Sequence, residues 1–120
     1  MKKDNVVQIK SYAFAVRIVK ACQYLSNEKK EFVLSKQLLR SGTSIGANIE
    51  EAIGGQSEKD FFAKLTIAYK EARESHYWIR LLKDTEYLNQ EEANSLIADV
   101  EELLKIIGSI QKTLRENRNS

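Results

Sequence analysis

The chain has 120 residues, 42% hydrophobic and 30% charged, with 19 Lys and Arg against 17 Asp and Glu for a net charge of +2. That length fits one domain with one core, the mixture is too apolar for a disordered chain, and so mild a charge does not by itself demand a nucleic-acid partner. A lone cysteine excludes an intrachain disulfide and points to a reducing, cytoplasmic setting, and the absence of proline leaves nothing to interrupt long helices.

The first periodic stretch runs from about residue 5 to residue 26. Its apolar residues, Ile9, Ala13, Phe14, Val16, Ile18, Val19, Cys22 and Leu25, cover more than one face, and Lys10, Arg17 and Lys20 leave only a narrow polar stripe. A helix this apolar around its girth has two sides to bury, one against its own bundle and one against a second partner. Ser26 to Lys30 is a polar break.

The second helix is predicted over about 33–54, with Ser35 as a plausible N-cap. Leu34, Leu38, Ser41, Ile45, Ile49 and Ala52 form its seam, beside the small residues Gly42, Ser44, Gly46 and Ala47. Each interior glycine costs about 1 kcal/mol against alanine, which close approach of another helix would offset; a glycine-caused kink is the alternative. Gly54 and Gly55 are expected to stop the helix through a left-handed cap.

Ser57 opens the third helix, predicted over about 57–85, with Asp60 in its first turn. Phe61, Leu65, Ala68, Ala72, Ser75, Ile79 and Leu82 make a seam, and a second row, Phe62, Tyr69 and His76, lies beside it. Asn89 and Glu92 start the fourth helix, predicted over about 89–115. Its seam is Ala93, Leu96, Val100, Leu103, Ile107, Ile110 and Leu114, and the tail from Arg115 to Ser120 is expected to fray. No strand pattern appears. Short links between long helices imply an all-α, antiparallel up-down-up-down four-helix bundle. No apolar run approaches the ~20 residues of a membrane span. The start, Met1 to Asp4 with Lys10 and Ser11 close behind, lacks the apolar stretch of a signal peptide.

Two stretches resemble a known family. Arg40-Ser41-Gly42-Thr43-Ser44-Ile45-Gly46-Ala47-Asn48-Ile49-Glu50-Glu51-Ala52 is similar to the signature of the bacterial family that includes the 23S rRNA-intervening sequence proteins. Lys70-Glu71-Ala72-Arg73-Glu74-Ser75-His76-Tyr77-Trp78-Ile79-Arg80-Leu81-Leu82 resembles that family's third-helix pattern. Ala52 stands where many members have glycine. The resemblance implies a ring-like homo-oligomer, with a pentamer as its arrangement, and a link to RNA, because members are encoded within inserts in ribosomal RNA genes. It also implies kinship with the accessory variability determinant of diversity-generating retroelements, which binds a reverse transcriptase and RNA.

The polar residues of the two middle helices need partners if buried. Arg40, Asn48, Glu51, Glu71 and Glu74 are expected to form a network that fixes helix register or a subunit interface; the alternative is a solvated face with pairs one turn apart. Tyr12, Tyr24, Tyr69, Tyr77 and Trp78 cannot all fit inside one four-helix core, which favours self-association, with Tyr77 and Trp78 as interface candidates. A di-metal carboxylate centre needs a Glu-x-x-His pair on two helices. The one histidine, His76, is preceded three residues earlier by Arg73, so no metal or cofactor is expected. His76 is then a packing or interface residue. Cys22 lies in an apolar face as an inert thiol, and Gly-Thr-Ser-Ile-Gly lacks the ending of a phosphate loop. An enzyme with a small-molecule substrate is therefore not expected.

Lys10, Arg17 and Lys20 on the first helix, Lys36 on the second, and Arg73 and Arg80 on the third are the candidate RNA contacts, while Lys105, Lys112, Arg115 and Arg118 load the C-terminal end. The expected function is a non-catalytic, homo-oligomeric scaffold docking RNA or a ribonucleoprotein partner on a repeated basic surface. A protein adaptor without nucleic acid is the alternative.

Overall fold

Each periodic stretch forms one helix in the computed structural model, which describes residues 2–119 and the side chains of residues 6–118. Met1 and Ser120 lie outside the described residues. Helix α1 spans Lys2–Asn27, α2 Leu34–Ile53, α3 Glu58–Asp84 and α4 Gln90–Asn119. They pack as a bundle of 51 × 22 × 21 Å. Every helix touches its sequence neighbours, and α1 closes the ring against α4; α1 and α3 face each other diagonally.

The cross-helix pairs give the chain direction. Gln8 meets Glu50 on α2 while Cys22 meets Ser35. Arg40 meets Glu74 on α3 while Glu51 meets Lys64. His76 meets Glu101 on α4 while Thr66 meets Gln111. In each pair, rising numbers on one helix meet falling numbers on the next, so neighbours are antiparallel. The predicted seams fill the core: Phe14, Ile18, Leu25, Leu38, Ile45, Ile49, Leu65, Ile79, Leu82, Leu96, Leu103 and Ile107 are essentially inaccessible. Each such side chain contributes about 1.5–3 kcal/mol on burial.

The interior glycines of α2 answer to close approach rather than to a kink. A Cβ built on Gly42 would lie 2.8 Å from Cγ2 of Ile18, and one on Gly46 would lie 3.3 Å from the carbonyl oxygen of Ser11. Both contacts are to α1, so the two glycines let its backbone press against α2.

Three helix ends differ from expectation. Ser35 is not the cap of α2. The nearly buried Glu31 carboxylate accepts the amides of Val33, Leu34 and Ser35 at 3.2, 3.0 and 3.0 Å, and the Ser35 hydroxyl donates back to the Glu31 carbonyl at 2.8 Å. A carboxylate with two acceptor oxygens satisfies more of the free first-turn amides than one hydroxyl can. Gly54 is not left-handed either: its φ of −81° and ψ of 0° are right-handed, and its amide donates to Glu50. Among the described residues the left-handed ones are Lys30 (φ 53°) and Glu86 (φ 67°), in the first and third links. Finally, α4 does not fray at Arg115. Arg115 and Arg118 lie 5.3 and 5.4 Å from the ring centre of Phe62, tying the last turns to α3.

Gly42→Ala is expected to destabilise the protein by about 1–3 kcal/mol despite the better helix propensity of alanine, because Ile18 is fully enclosed and has nowhere to move. Urea unfolding followed by circular dichroism reads the shift in midpoint.

Candidate nucleic-acid groove and self-association face

Three surfaces concentrate the side chains that do not serve the core. The first is the outer face of α1. Ile9, Tyr12, Val16 and Val19 recur at steps of three and four, opposite the face that buries Phe14 and Ile18. They are 68%, 68%, 40% and 38% exposed, so this is a second apolar seam left in solvent. It continues sideways into an apolar notch of about 270 Å³ between α1 and α2, walled by Tyr12, Ala15, Thr43 and Ala47. Exposed Leu39, Phe32 and Val33 extend the apolar surface over α2 and the preceding link.

The second surface is the α2–α3 flank. Arg40 donates from Nη1 to Glu71 Oε2 at 3.2 Å and from Nη2 to Glu74 Oε2, and the Trp78 indole donates to the same Glu74 oxygen at 2.9 Å. Tyr77 packs edge-on to Trp78 with ring centres 5.0 Å apart. The expected polar cluster therefore holds Arg40, Glu71 and Glu74, joined by Trp78, but excludes two of its members. Asn48 turns back to donate to the Ser44 carbonyl at 2.8 Å, and Glu51 pairs with Lys64 at 3.0 Å near the far end. Beneath the cluster, the hydroxyls of Ser41 and Ser75 bond each other at 2.9 Å inside the core. Their sites on facing seams were visible in the sequence, but their pairing was not.

The third surface concerns the cations, which do not share one face. Lys10 pairs with Glu102 at 3.2 Å, and Arg17 pairs with Asp99 at 2.6 Å and Glu92 at 3.2 Å, all on α4. Lys20 borders a cavity of about 330 Å³ that also holds Arg17 and Glu92. Lys10 and Arg17 are thus met by carboxylates, whereas Lys20 on α1 and Lys36 on α2 are exposed with no ion pair among the described residues. Arg73 and Arg80 differ. They flank His76 in a pocket of about 270 Å³ between α3 and α4, with Tyr69 at one end. Tyr69 also borders a second pocket of about 310 Å³, lined by Thr66, Gly108, Gln111 and Arg115. The two pockets form one groove, with Phe62, Arg115 and Arg118 at its lower end.

Among the described residues no carboxylate lies within ion-pair distance of Arg73, Arg80, Arg115 or Arg118. The one acidic side chain lining either pocket, Glu101, sits 3.2 Å from Nε2 of His76. Reading the sequence paired Phe62, Tyr69 and His76 as a row but missed Thr66, Gly108 and Gln111. The signal was available: on α4, Glu101, Leu104, Gly108, Gln111 and Arg115 repeat the same three-and-four spacing just outside the core seam.

Cys22 is buried and donates to the Ser35 carbonyl at 3.3 Å. Burial, with the Glu31 carboxylate nearby, pushes its thiol from 9.0 up to about 11. Among the described residues no three His, Cys, Asp or Glu side chains gather as a metal ion would need, and no helix is long and apolar enough to cross a membrane.

Comparison with known proteins adds the following. A model of the family described as 23S rRNA-intervening sequence protein matches residues 3–109. A crystal structure of a protein of unknown function from the S23 ribosomal protein family, from Bacteroides thetaiotaomicron VPI-5482, superposes with a TM-score of 0.90 at 57% identity. The match covers 92% of this chain and 98% of that one. No curated protein matches the chain.

Two outcomes follow from these surfaces. Arg40→Ala is expected to cost about 1–2 kcal/mol in urea unfolding, most of it from leaving the largely covered Glu71 carboxylate without its cation, since the half-exposed guanidinium itself is screened by water. Alkylation of Cys22 by iodoacetamide at pH 8 is expected to be far slower in the native protein than in urea, because the thiol stays protonated until pH approaches about 11.

Proposed function

The chain belongs to the family of 23S rRNA-intervening sequence proteins, and from that premise we propose that it is a non-catalytic, cytoplasmic, homo-oligomeric scaffold that docks RNA or a ribonucleoprotein partner on a repeated basic surface. The observation that carries this reading is the exposed seam of α1. Ile9 and Tyr12, each 68% exposed, sit in a heptad-like row with Val16 and Val19 that matches the spacing by which helices interlock. Monomeric proteins rarely leave so continuous an apolar row in water. A second copy covers it, and five copies is the number the family resemblance implies; in a ring of five the row meets a different face of the next copy.

The electrostatics support the RNA half of the proposal. Four arginines without an ion pair among the described residues lie along the α3–α4 groove, and α3 is diagonal to α1, so the α1 seam and this groove occupy different sides of the bundle. Repetition around an oligomer turns one weak phosphate-binding surface into several acting together. The competing reading, a protein adaptor without nucleic acid, draws on the same exposed apolar residues. Salt separates the two: phosphate contacts make affinity fall steeply with salt concentration, whereas apolar docking does not.

Light scattering in native buffer is expected to give a mass near five times the 13.8 kDa chain. The double substitution Ile9→Glu/Val16→Glu, at exposed positions outside the core, is expected to yield folded 13.8 kDa particles with unchanged helicity. A wild-type protein that stays a single chain at micromolar concentration overturns the scaffold reading. No retention of total RNA even at low salt overturns the RNA reading in favour of the adaptor.

A further inference from the structure

The glycine of α4 serves no contact within the chain. Gly108 lies in the interior of a 30-residue helix, where glycine weakens the helix relative to alanine. Gly42 and Gly46 have a reason, since a Cβ on either would press into α1 at 2.8 or 3.3 Å. A Cβ on Gly108 would meet only the Tyr69 ring edge, at an ordinary 3.7 Å. Packing therefore permits alanine there. What the missing side chain does is keep the floor of the α3–α4 groove open beside Tyr69.

The surroundings of that opening are specific. Above it stand Arg73 and Arg80, seven residues and about 10.5 Å apart along α3, with His76 between them. Below it Arg115 and Arg118 spread their guanidinium groups over Phe62. Between these cations the groove offers a half-buried aromatic ring and a polar floor in which Gln111, 5% exposed, donates to the Thr66 hydroxyl at 2.8 Å. Lys105 and Lys112, one heptad apart and exposed on α4, border the same side. Unpaired cations alternating with aromatic surface along a narrow cleft fit an extended polyanion that carries flat, unstacked rings.

We infer that the α3–α4 groove binds single-stranded RNA, with a base stacked on Tyr69 over Gly108, neighbouring bases on the guanidinium planes held by Phe62, and phosphates on Arg73 and Arg80. A single strand presents both its charged backbone and its base faces, and unpaired bases stack on aromatic rings and on arginine planes. A duplex keeps its base faces inside the stack and offers the groove only phosphates, leaving Tyr69 unused. The inference rests on the RNA-docking reading above and names its nucleic acid and its site.

The test is fluorescence anisotropy of the full chain with labelled 12-nucleotide oligouridylate and oligoadenylate, a 12-base-pair RNA duplex, and polyglutamate, each over a salt series. Single strands are expected to bind at least tenfold more tightly than the duplex. Arg73→Gln/Arg80→Gln is expected to reduce the log–log salt slope for single strands by about 1.4, at about 0.7 per phosphate contact. Gly108→Leu, which fills the groove, is expected to weaken single-strand binding by about tenfold or more, as loss of a stacking platform does. Gly108→Ala is expected to raise the melting temperature by about 3 °C, which separates groove occupancy from folding. Tyr69→Ala touches the core, so the glycine and arginine variants decide the matter if it unfolds.

A duplex bound as tightly as the single strands, with affinity indifferent to Gly108→Leu, overturns this inference while leaving RNA docking intact. Binding of polyglutamate without either RNA assigns the groove to an acidic peptide and overturns both readings, and so does the absence of any binding.

Discussion

The contact between α1 and α2 at Gly42 and Gly46 governs most of what the surface of this protein presents. Because neither glycine has a side chain, Ile18 and the backbone of Ser11 come against α2 where any Cβ would hold them off. That closeness fixes the rotation of α1 about its own axis. With Phe14, Ile18 and Leu25 turned into the core, Ile9, Tyr12, Val16 and Val19 are carried to the opposite side. The exposed seam is thus the geometric remainder of a well-packed core: a helix apolar on two faces can bury only one of them inside its own bundle.

The same rotation distributes the charge. Lys10 and Arg17 are delivered to the edge shared with α4, where Glu92, Asp99 and Glu102 meet them. Ion pairs this exposed add little stability, but they remove those cations from the long-range field. The α3–α4 edge receives no such compensation. It carries Arg73, Arg80, Arg115 and Arg118 around aromatic rings, while the nearby Glu101 faces His76. A chain of net charge +2 thereby gains one groove that is distinctly basic, although its overall balance is almost neutral.

A small helical bundle with an open apolar seam on one corner and a basic groove off that corner is suited to assembly. The polar elements between helices serve register. The Arg40 guanidinium spanning Glu71 and Glu74, and the Ser41–Ser75 bond inside the core, each fit only one sliding position of α3 against α2. Apolar seams alone tolerate slippage by a heptad, whereas a shift here would break the Ser41–Ser75 bond and part Arg40 from its two carboxylates, even though each hydroxyl keeps a carbonyl of its own helix. Such register is a precondition for copies that present identical surfaces.

The sequence by itself determined the helices, their order and their buried seams, because 3.6-residue periodicity and local capping groups act within a few residues of one another. Leu65 and Leu103 could be assigned to the core without knowing their neighbours. It also marked α1 as too apolar for one partner, and Arg40 as a match for Glu71 or Glu74. It misjudged the ends of α2, where Glu31 rather than Ser35 satisfies the first amides and Gly54 stays right-handed. It also grouped six cations that the fold separates. Only the tertiary structure decided which charges meet: Arg17 and Asp99 stand 82 residues apart in the chain, and no local spacing links them. Gly42 and Gly108 look alike in sequence, as interior glycines of long helices. One is required by Ile18 and the other opens onto a groove, a distinction that arises from what the neighbouring helix places opposite each of them.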